Sequence, residues 1–170
     1  MKNTNIRSLC QIALMAAFIM ACSFLVIPIP FSTVPVTAQT LAVALTGLLL
    51  APKESGASVG VYILLAIVMG RFSIGPSTGY FVGFLISAVV ISLIKGKKNN
   101  PLRYFLAALA AIAITDLCGM VGMMLALQCN LVTAFIEGCV VFLPGDLCKA
   151  VAAALLAAAL RKALPKALSA

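Results

Sequence analysis

The sequence has no histidine and no tryptophan, and only four of its 170 residues are acidic. Without histidine, and with six cysteines of which no two are spaced as CxxC, the chain lacks the usual ligand set of a zinc or haem site. A GxxxxGK[ST] phosphate loop is also missing, because the Gly96–Lys97 pair has unsuitable residues around it. These absences argue against a metal centre, a bound cofactor and ATP hydrolysis by this chain.

Charged residues of any kind are scarce, at 9% of the chain, whereas 64% of the residues are hydrophobic and the mean hydropathy is +1.19. Such a composition is typical of a membrane protein. A helix that spans a bilayer needs about 20 apolar residues, so six spans would use nearly the whole length. We therefore predict a single all-α integral membrane domain over 1–170, a bundle of six transmembrane helices. The predicted helices cover 9–27, 39–51, 57–69, 79–94, 102–127 and 146–162.

Basic residues outnumber acidic ones and give a net charge of +8. They lie in short clusters between apolar runs, without the aromatic-interleaved basic face of a nucleic-acid-binding protein, so membrane topology explains them better. Cytoplasmic segments of membrane proteins are enriched in Lys and Arg. In a six-helix layout one side holds Lys2, Arg7, Lys53, Lys95, Lys97, Lys98, Arg103, Arg161, Lys162 and Lys166, and the other holds Arg71. Both termini are therefore predicted to be cytoplasmic.

Two segments on the predicted outer side differ from ordinary linkers. Segment 28–38 is apolar and has prolines at three of its positions, so it cannot be helical throughout. We expect it to pack over the bundle as a lid; a stiff connector between helices is the alternative. Segment 134–143 is also apolar and is followed by Pro144. We predict that it dips into the outer leaflet as a re-entrant cap.

Ionisable residues inside apolar runs are candidate functional residues, because a charge at the bilayer centre costs about 3 kcal/mol on insertion scales. Asp146 and Lys149 are three residues apart and share one helical face behind a Pro-Gly pair, where Asp146 can cap a helix N-terminus. An acceptor and a donor this close suit a ligand that carries both N–H groups and an oxygen. A helix cap with an ion pair that needs no ligand is the alternative interpretation.

Four further polar residues are candidates for the same pocket. Asp116, in the middle of the fifth run, could line it, partner Lys149, or be a protonated carboxyl bonded within the bundle. Arg71 could bind an anionic group of a ligand or lipid headgroups. Gln39 and Tyr80 begin helices at the outer side and can reach inward, although Tyr80 could equally be a membrane-interface residue.

Small residues recur on the first apolar run. Ala13, Ala17 and Ala21 are spaced by four residues, a small-xxx-small pattern that marks close helix contacts. Such a stripe lets a second helix approach closely along its whole length. It predicts either packing inside the bundle or a docking face for another membrane subunit.

Four longer stretches carry a family resemblance: IPIPFSTVPVTAQTLAV at 27–43, GLLLAPKESGA at 47–57, GPSTGYFVGF at 75–84 and FLPGDLCKAVAAALLA at 142–157. Together they resemble the BioY family, the biotin-binding S components of energy-coupling factor (ECF) vitamin transporters. The resemblance implies a multi-pass, six-helix protein of the bacterial cytoplasmic membrane with a biotin site that opens outward. It also implies that the first helix docks on a transmembrane coupling subunit that is joined to two ATPase subunits.

The family motifs can be carried onto numbered positions. PGDxxK falls on Asp146 and Lys149, GPxxGY on Gly75, Pro76, Gly79 and Tyr80, TxQT on Thr37, Gln39 and Thr40, and the AxxxA docking stripe on Ala13, Ala17 and Ala21. The resemblance implies that the aspartate and the lysine hold the ureido ring of biotin, which has two N–H donors and one C=O. Tyr80 and Gln39 would complete the site, with Asp116 and Arg71. The last two depart from the family, because relatives have aromatic residues on the fifth helix and a longer loop around the arginine position.

Three other functions fit parts of the sequence. An S component for another small vitamin would share the helix plan and the alanine stripe. An intramembrane aspartyl hydrolase would need two carboxyls in one site, for which Asp116 and Asp146 are the candidates. A scaffold subunit without a ligand would pair Asp146 and Lys149 only with each other, with no pocket beside them. We expect biotin as the ligand and no catalytic residue.

Overall fold

The computed structural model describes residues 2–28, 34–72 and 74–164, and most of these are helical. The helices are α1 (Lys2–Ser23), α2 (Gln39–Leu49), α3 (Pro52–Val68), α4 (Thr78–Ile94), α5 (Pro101–Leu127), α6 (Leu131–Phe135) and α7 (Leu143–Ala163). A π-helical turn, Ile136–Val140, follows α6 directly. Two short strands, β1 (Val26–Ile27) and β2 (Val36–Thr37), pair antiparallel between α1 and α2. This small hairpin is a departure from the purely helical prediction.

Helix α5 shows how local signals set the ends of an element. Its N-cap is Asn100, whose side chain accepts hydrogen bonds from the backbone N–H groups of Leu102 and Arg103. Pro101 occupies the first turn, where no N–H is needed. The helix ends at Gln128, which adopts the left-handed conformation with φ 52°. The long apolar run between these signals is therefore one uninterrupted helix.

Helix α2 lies at the centre of the bundle. It is only 11 residues long, which corresponds to about 16 Å, yet every residue over 42–49 is buried. It packs against α4 and α7, while α1 packs on α3 and α5 packs on α4 and α7. A helix that is apolar on all sides belongs inside a protein or a membrane, and the surrounding helices provide that environment here.

Side chains from α4 and α7 bind the backbone at the C-terminal end of α2. The last carbonyls of a helix have no partners within it. Three side chains donate to this region: Ser92 to Leu50 O, Lys95 to Gly47 O and Leu50 O, and Arg161 to Leu48 O. We call this arrangement the α2 clamp. Its two cations also interact favourably with the negative end of the helix dipole.

Helices α4 and α5 form the most extensive helix pair of the fold. A Cβ atom added at Gly79 of α4 would lie 2.1 Å from the carbonyl oxygen of Cys118 on α5, and one at Gly122 would lie 2.6 Å from Gly79. Only glycine allows the two backbones to come this close. This contact fixes the start of α4 against the second half of α5, beside the site described below.

The outer surface of the bundle is apolar. Large side chains that are more than half exposed include Leu14, Leu64, Leu93, Leu106, Leu125 and Leu155, from five different helices. Apolar exposure on this scale marks a surface that contacts lipid or protein. By length and composition, three segments of the described chain could cross a membrane: Ile6–Ser23, Pro101–Leu127 and Leu131–Ala163. Helices α2 and α4 are apolar but shorter. The chain is a multi-pass membrane protein.

Several predicted bounds differ from the observed ones. The first helix, predicted over 9–27, begins at Lys2 and ends at Ser23, because the chain turns into β1. The third, predicted over 57–69, begins at Pro52, where Glu54 accepts a hydrogen bond from Ala51 N and stabilises an earlier start. Segment 134–143, predicted as an apolar cap, is largely helical, formed by α6, the π turn and the start of α7. Of the predicted lid, 29–33 lie outside the described residues.

Candidate ligand-binding site

A cavity of about 290 Å³ lies where the N-terminal ends of α2, α4 and α7 meet the middle of α5 and the β1–β2 hairpin. We call it the central cavity. All six residues that the sequence predicts as ligand-binding line it: Gln39, Arg71, Tyr80, Asp116, Asp146 and Lys149. They come from different helices and the loop after α3, so the fold brings together side chains that are up to 110 positions apart in the chain.

Asp146 and Lys149 lie in the first two turns of α7 and form an ion pair with each other. Thr40 of α2 lies next to this pair. Lys149 Nζ is 2.8 Å from Asp146 Oδ1 and donates to Thr40 Oγ1 at 3.0 Å, while the Thr40 hydroxyl is 3.3 Å from the same carboxylate oxygen. The side chains are 3% (Asp146) and 18% (Lys149) exposed. Lys149 and Thr40 both bond to Oδ1 of Asp146. Its Oδ2 therefore remains available to a ligand in the central cavity. The scaffold interpretation required no pocket beside this pair, and the central cavity contradicts it.

Asp116 lies halfway along α5 and is 6% exposed. Its carboxylate makes no hydrogen bond within the described residues, and Lys149 pairs with Asp146 instead. Among the described residues, every side-chain oxygen or nitrogen that is shielded from solvent has a hydrogen-bond partner. Asp116 lines the central cavity. The Asp116 oxygens are therefore open to the central cavity rather than bonded within the bundle.

Tyr80 is fixed at the start of α4. Its hydroxyl donates to Gly138 O of the π turn at 2.8 Å, and its ring meets Phe142 edge to face. The ring lies so close to Gly119 that an added Cβ would be 2.3 Å from a ring carbon. Because Tyr80 is only 8% exposed, it is a cavity residue and not a membrane-interface residue. Its hydroxyl oxygen still has capacity to accept a hydrogen bond.

Gln39, the first residue of α2, is held on both sides. Its Oε1 accepts a hydrogen bond from Thr37 Oγ1 at 2.7 Å, and its Nε2 donates to the hydroxyl of Tyr62 on α3. Tyr62 is 1% exposed and stacks on Phe81 with 6.0 Å between ring centroids. Tyr62 was not among the residues predicted for the site. A lone tyrosine within an apolar run was the available signal, because a buried tyrosine hydroxyl needs a partner.

Arg71 lies at the edge of the cavity, just after α3. Its Nη2 donates to Ser23 O at 2.6 Å, and its guanidinium carbon is 4.6 Å from the ring centroid of Phe24. The arginine therefore ties the end of α1 to the end of α3. A guanidinium has five N–H donors, so it can hold this backbone oxygen and an anionic group together.

The apolar part of the cavity wall was not predicted residue by residue. It includes Phe81, Phe84, Phe142, Val34 and Val36. The two α4 phenylalanines meet edge to face at 6.0 Å, next to Tyr80 on the same helix. Because 64% of the chain is hydrophobic, the sequence alone does not distinguish the apolar residues that line the cavity from those that face lipid or the core. Val34 and Val36 belong to the described end of the predicted lid, so this end of the lid lies against the cavity.

The alanine stripe of α1 faces away from the bundle. Ala13, Ala17 and Ala21 are exposed, whereas Ala16 and Ile19 of the same helix are buried. Packing of the stripe inside this chain, one of its two interpretations, is therefore wrong for the fold described here. The stripe forms a shallow apolar surface on the outside of α1.

The described residues do not support serine hydrolase or metal chemistry. Residues 56–60, Gly-Ala-Ser-Val-Gly, match the GxSxG pattern of serine hydrolases. They lie inside α3, with no strand-to-helix turn, and the Ser58 hydroxyl is buried and donates to Glu54 O. No group of three or more His, Cys, Asp or Glu residues that could hold a metal ion is found there.

Comparison with known proteins gives consistent matches over nearly the whole chain. The BioY family model matches residues 1–166. The biotin transporter BioY of Lactococcus lactis subsp. cremoris is 31% identical over 177 aligned positions, which cover 94% of this chain and 93% of the relative. The biotin transporter BioY of Thermotoga maritima is 32% identical over 146 positions, which cover 80% of this chain and 86% of the relative.

A solved structure has the same fold. It is a 2.1 Å crystal structure of the S-component for biotin from an ECF-type ABC transporter, and it superimposes with a TM-score of 0.84 at 28% identity. The superposition covers 95% of this chain and 94% of the crystallised chain. Helix order and bundle architecture are therefore shared.

Proposed function

The chain belongs to the BioY family, and we propose that it is a biotin-specific S component that captures the vitamin inside the membrane for uptake by an ECF transporter. The observation that carries the proposal is the ion pair of Asp146 and Lys149, buried in an apolar bundle and open to the central cavity. Buried charges are normally paired and fully hydrogen-bonded. Here one carboxylate oxygen is left over, and a ligand with N–H groups would satisfy it.

Biotin fits the chemistry of the cavity wall. Its ureido ring offers two N–H donors and one C=O, which match the carboxylate of Asp146 and the ammonium of Lys149. Its thiophane ring and aliphatic tail suit the aromatic wall formed by Phe81, Phe84 and Phe142. The cavity, at about 290 Å³, lies just below the range of about 300–1,000 Å³ that is usual for ligand pockets. A small vitamin would fill it.

The remaining polar residues would complete the site. We assign Tyr80 and Gln39 to contacts along the ligand, since both are held in place by other helices. Arg71, at the edge of the cavity, would receive the tail carboxylate. The described end of the predicted lid, which places Val34 and Val36 in the cavity wall, would cover the ligand.

Six membrane-crossing helical segments with cytoplasmic termini are part of the proposal. The support is the clustering of basic residues at one end of the bundle. Four side-chain contacts join helix ends there: Ser8 to Glu54, Lys95 to Gly47, Arg161 to Leu48 and Asn99 to Ala158. That end also carries the basic residues near Lys97 and Lys162, which favours the cytoplasmic side of the bacterial cell membrane. The central cavity lies at the opposite end and would open outward.

The exposed stripe of Ala13, Ala17 and Ala21 is proposed to dock on the transmembrane coupling subunit, which would work with two ATPase subunits. Small residues let the helices of two subunits approach closely. Replacing Ala17 by Leu should reduce co-purification with the coupling subunit and leave biotin binding by the isolated chain unchanged. Equal loss of both would show that α1 acts on the fold and not on docking.

The alternatives make different predictions. The family and the relatives found are transport components, and the chain is not an enzyme, which excludes the aspartyl hydrolase built on Asp116 and Asp146. An S component for another vitamin shares the fold but would not select biotin. No cofactor is part of the proposal, because ATP would be used by partner subunits.

Mass spectrometry of small molecules that co-purify with the detergent-extracted protein tests the ligand without assuming it. We expect biotin. A second measurement, equilibrium competition between labelled biotin and a panel of unlabelled vitamins, should show displacement by biotin alone at equimolar concentration. Displacement by a different vitamin, or no binding of biotin at any concentration, would contradict the proposal.

A further inference from the structure

Two acids line the central cavity, and their environments differ. Asp146 accepts from Lys149 and Thr40 through one of its oxygens. Asp116 is also buried, but its carboxyl has no hydrogen-bond partner in the described residues and lines the cavity. A buried carboxyl without a partner is costly. It is retained without penalty only if a bound molecule or a proton satisfies it.

The two carboxyls reach the cavity from different helices. Asp116 projects from α5 and Asp146 from α7, and these helices pack on each other. Lys149, one turn after Asp146 on α7, lines the same cavity. All three side chains therefore line one cavity. A ligand head placed there meets one ammonium and two separate carboxyl groups.

A cyclic urea presents three polar groups, with one N–H on each side of its C=O. Lys149 has three N–H donors, of which two are used by Asp146 and Thr40, so one remains for the ureido oxygen. Asp146 Oδ2 can accept one ureido N–H. The second N–H would have no charged acceptor if Asp146 acted alone, and Asp116 would have no donor.

We propose that Asp116 accepts the second ureido N–H, so that the pair of acids from α5 and α7 makes the site specific for a ring head with two N–H groups. This inference rests on the proposed function, since it assigns an atom of biotin to a residue. Both carboxyl groups then have a donor, and both ureido N–H groups make charge-assisted hydrogen bonds. Asp116 is thus a specificity-determining residue of this chain.

The test uses biotin and its two N-methyl isomers, each of which lacks one ureido N–H. Dissociation constants are measured for the full-length, detergent-solubilised protein and for Asp116→Leu, Asp116→Asn and Thr115→Val. In the unmodified protein each methylation should weaken binding roughly 10- to 100-fold, because each removes a hydrogen bond to a charged group. Thr115 neighbours Asp116 but does not line the central cavity. Its valine variant removes no group from the cavity wall, so it should bind biotin within about 2-fold of the unmodified protein.

Asp116→Leu should weaken biotin binding by a similar roughly 10- to 100-fold. One isomer should then bind this variant within about 3-fold of biotin, because the hydrogen bond that its methyl group removes is already absent. The other isomer should keep its full penalty. Asp116→Asn, which retains an acceptor oxygen, should lie between the two proteins. If Asp116→Leu abolishes all binding, the asparagine variant carries the same comparison.

Thermal unfolding adds a readout that a merely structural role would not give. Without ligand, Asp116→Leu should unfold at the same or a higher temperature, since an unpaired buried acid has been replaced by an apolar group. With saturating biotin, its ligand-induced rise should be smaller than that of the unmodified protein. Equal penalties for both isomers in every variant would overturn the inference. Absence of biotin binding to the unmodified protein would instead overturn the proposed function.

Discussion

The two ends of α2 place cations in an apolar bundle in opposite ways. At the C-terminal end, Lys95 and Arg161 donate to backbone carbonyls of α2, and their hydrogen bonds are made within the protein. At the N-terminal end, Lys149 contacts Thr40 and Asp146, and the group opens onto a cavity of about 290 Å³. At the C-terminal end of α2 the polar groups bond to one another, whereas at the N-terminal end a carboxylate oxygen remains free to accept a hydrogen bond from a ligand.

This difference separates a structural polar cluster from a binding site. Both clusters are mostly buried and both contain a basic residue within hydrogen-bonding distance of an oxygen, so burial and charge alone do not distinguish them. What distinguishes them is hydrogen-bond satisfaction. The α2 clamp satisfies the carbonyl groups at the end of a helix. The carboxyl groups of Asp116 and Asp146, in contrast, have oxygens that accept no hydrogen bond from a described residue.

Removing the charge of Asp146 should have the largest effect on binding. Asp146→Asn keeps the shape of the side chain but removes the ion pair with Lys149 and the charged acceptor for the ligand. Loss of one partner of a buried charge pair costs about 2–5 kcal/mol, so biotin affinity should fall by about 30-fold or more. Isothermal titration calorimetry measures this, with unliganded thermal unfolding as the control for folding. Unchanged affinity would remove the pair from the site.

Adding a methyl group beside Tyr80 should have the next largest effect. In Gly119→Ala the new Cβ would lie 2.3 Å from the tyrosine ring, so the ring must move off α5 and out of its place in the cavity wall. Overpacking of this kind costs about 1–3 kcal/mol, and biotin affinity should fall with stability. Gly60→Ala is the matched control, because nothing lies within 4 Å of its added Cβ. Loss of affinity in the control as well would point to a general effect of alanine.

Substitutions in the α2 clamp should lower stability and leave biotin affinity nearly unchanged. Arg161→Met leaves Leu48 O without a donor and should lower the free energy of unfolding by about 1–3 kcal/mol, while the folded protein binds biotin with an affinity within about 2-fold of normal. Lys162→Met, at the adjacent exposed position, should change neither. Denaturant unfolding in detergent, followed by titration with biotin, separates the two quantities. Reduced affinity at full stability would break the distinction between the two ends of α2.

Interactions between residues close in sequence could be predicted better than contacts between distant parts of the chain. The spacing of Asp146 and Lys149 by three residues requires a shared helical face, and the ion pair at 2.8 Å follows from that spacing. The central position of α2 is consistent with its uninterrupted apolar run. The six residues proposed for one pocket do line one cavity, which reflects the high cost of leaving ionisable groups in an apolar bundle without a partner or a ligand.

The features that escaped prediction are contacts between distant parts of the chain. Nothing local in the sequence joins Thr40 to Lys149, or Gln39 to Tyr62, because each pair meets only after two helices pack. The π turn, Ile136–Val140, is another example, since a single inserted residue in a helix leaves no periodic signal. Exposure of the alanine stripe likewise depends on which side of α1 its neighbours cover.

The mouth of the cavity offers the smallest predicted effect, and it tests whether the two ends of the ligand are held differently. Arg71 is exposed, and exposed ion pairs contribute about 0.2–1 kcal/mol, so Arg71→Gln should weaken biotin binding by no more than about 5-fold. Biotin amide, which lacks the carboxylate, should bind both proteins equally. Competition against labelled biotin at low salt and at high salt measures the difference, which salt should reduce. A loss as large for the amide as for biotin would mean that the arginine acts through its bond to Ser23 O and the end of α1, and not through the ligand.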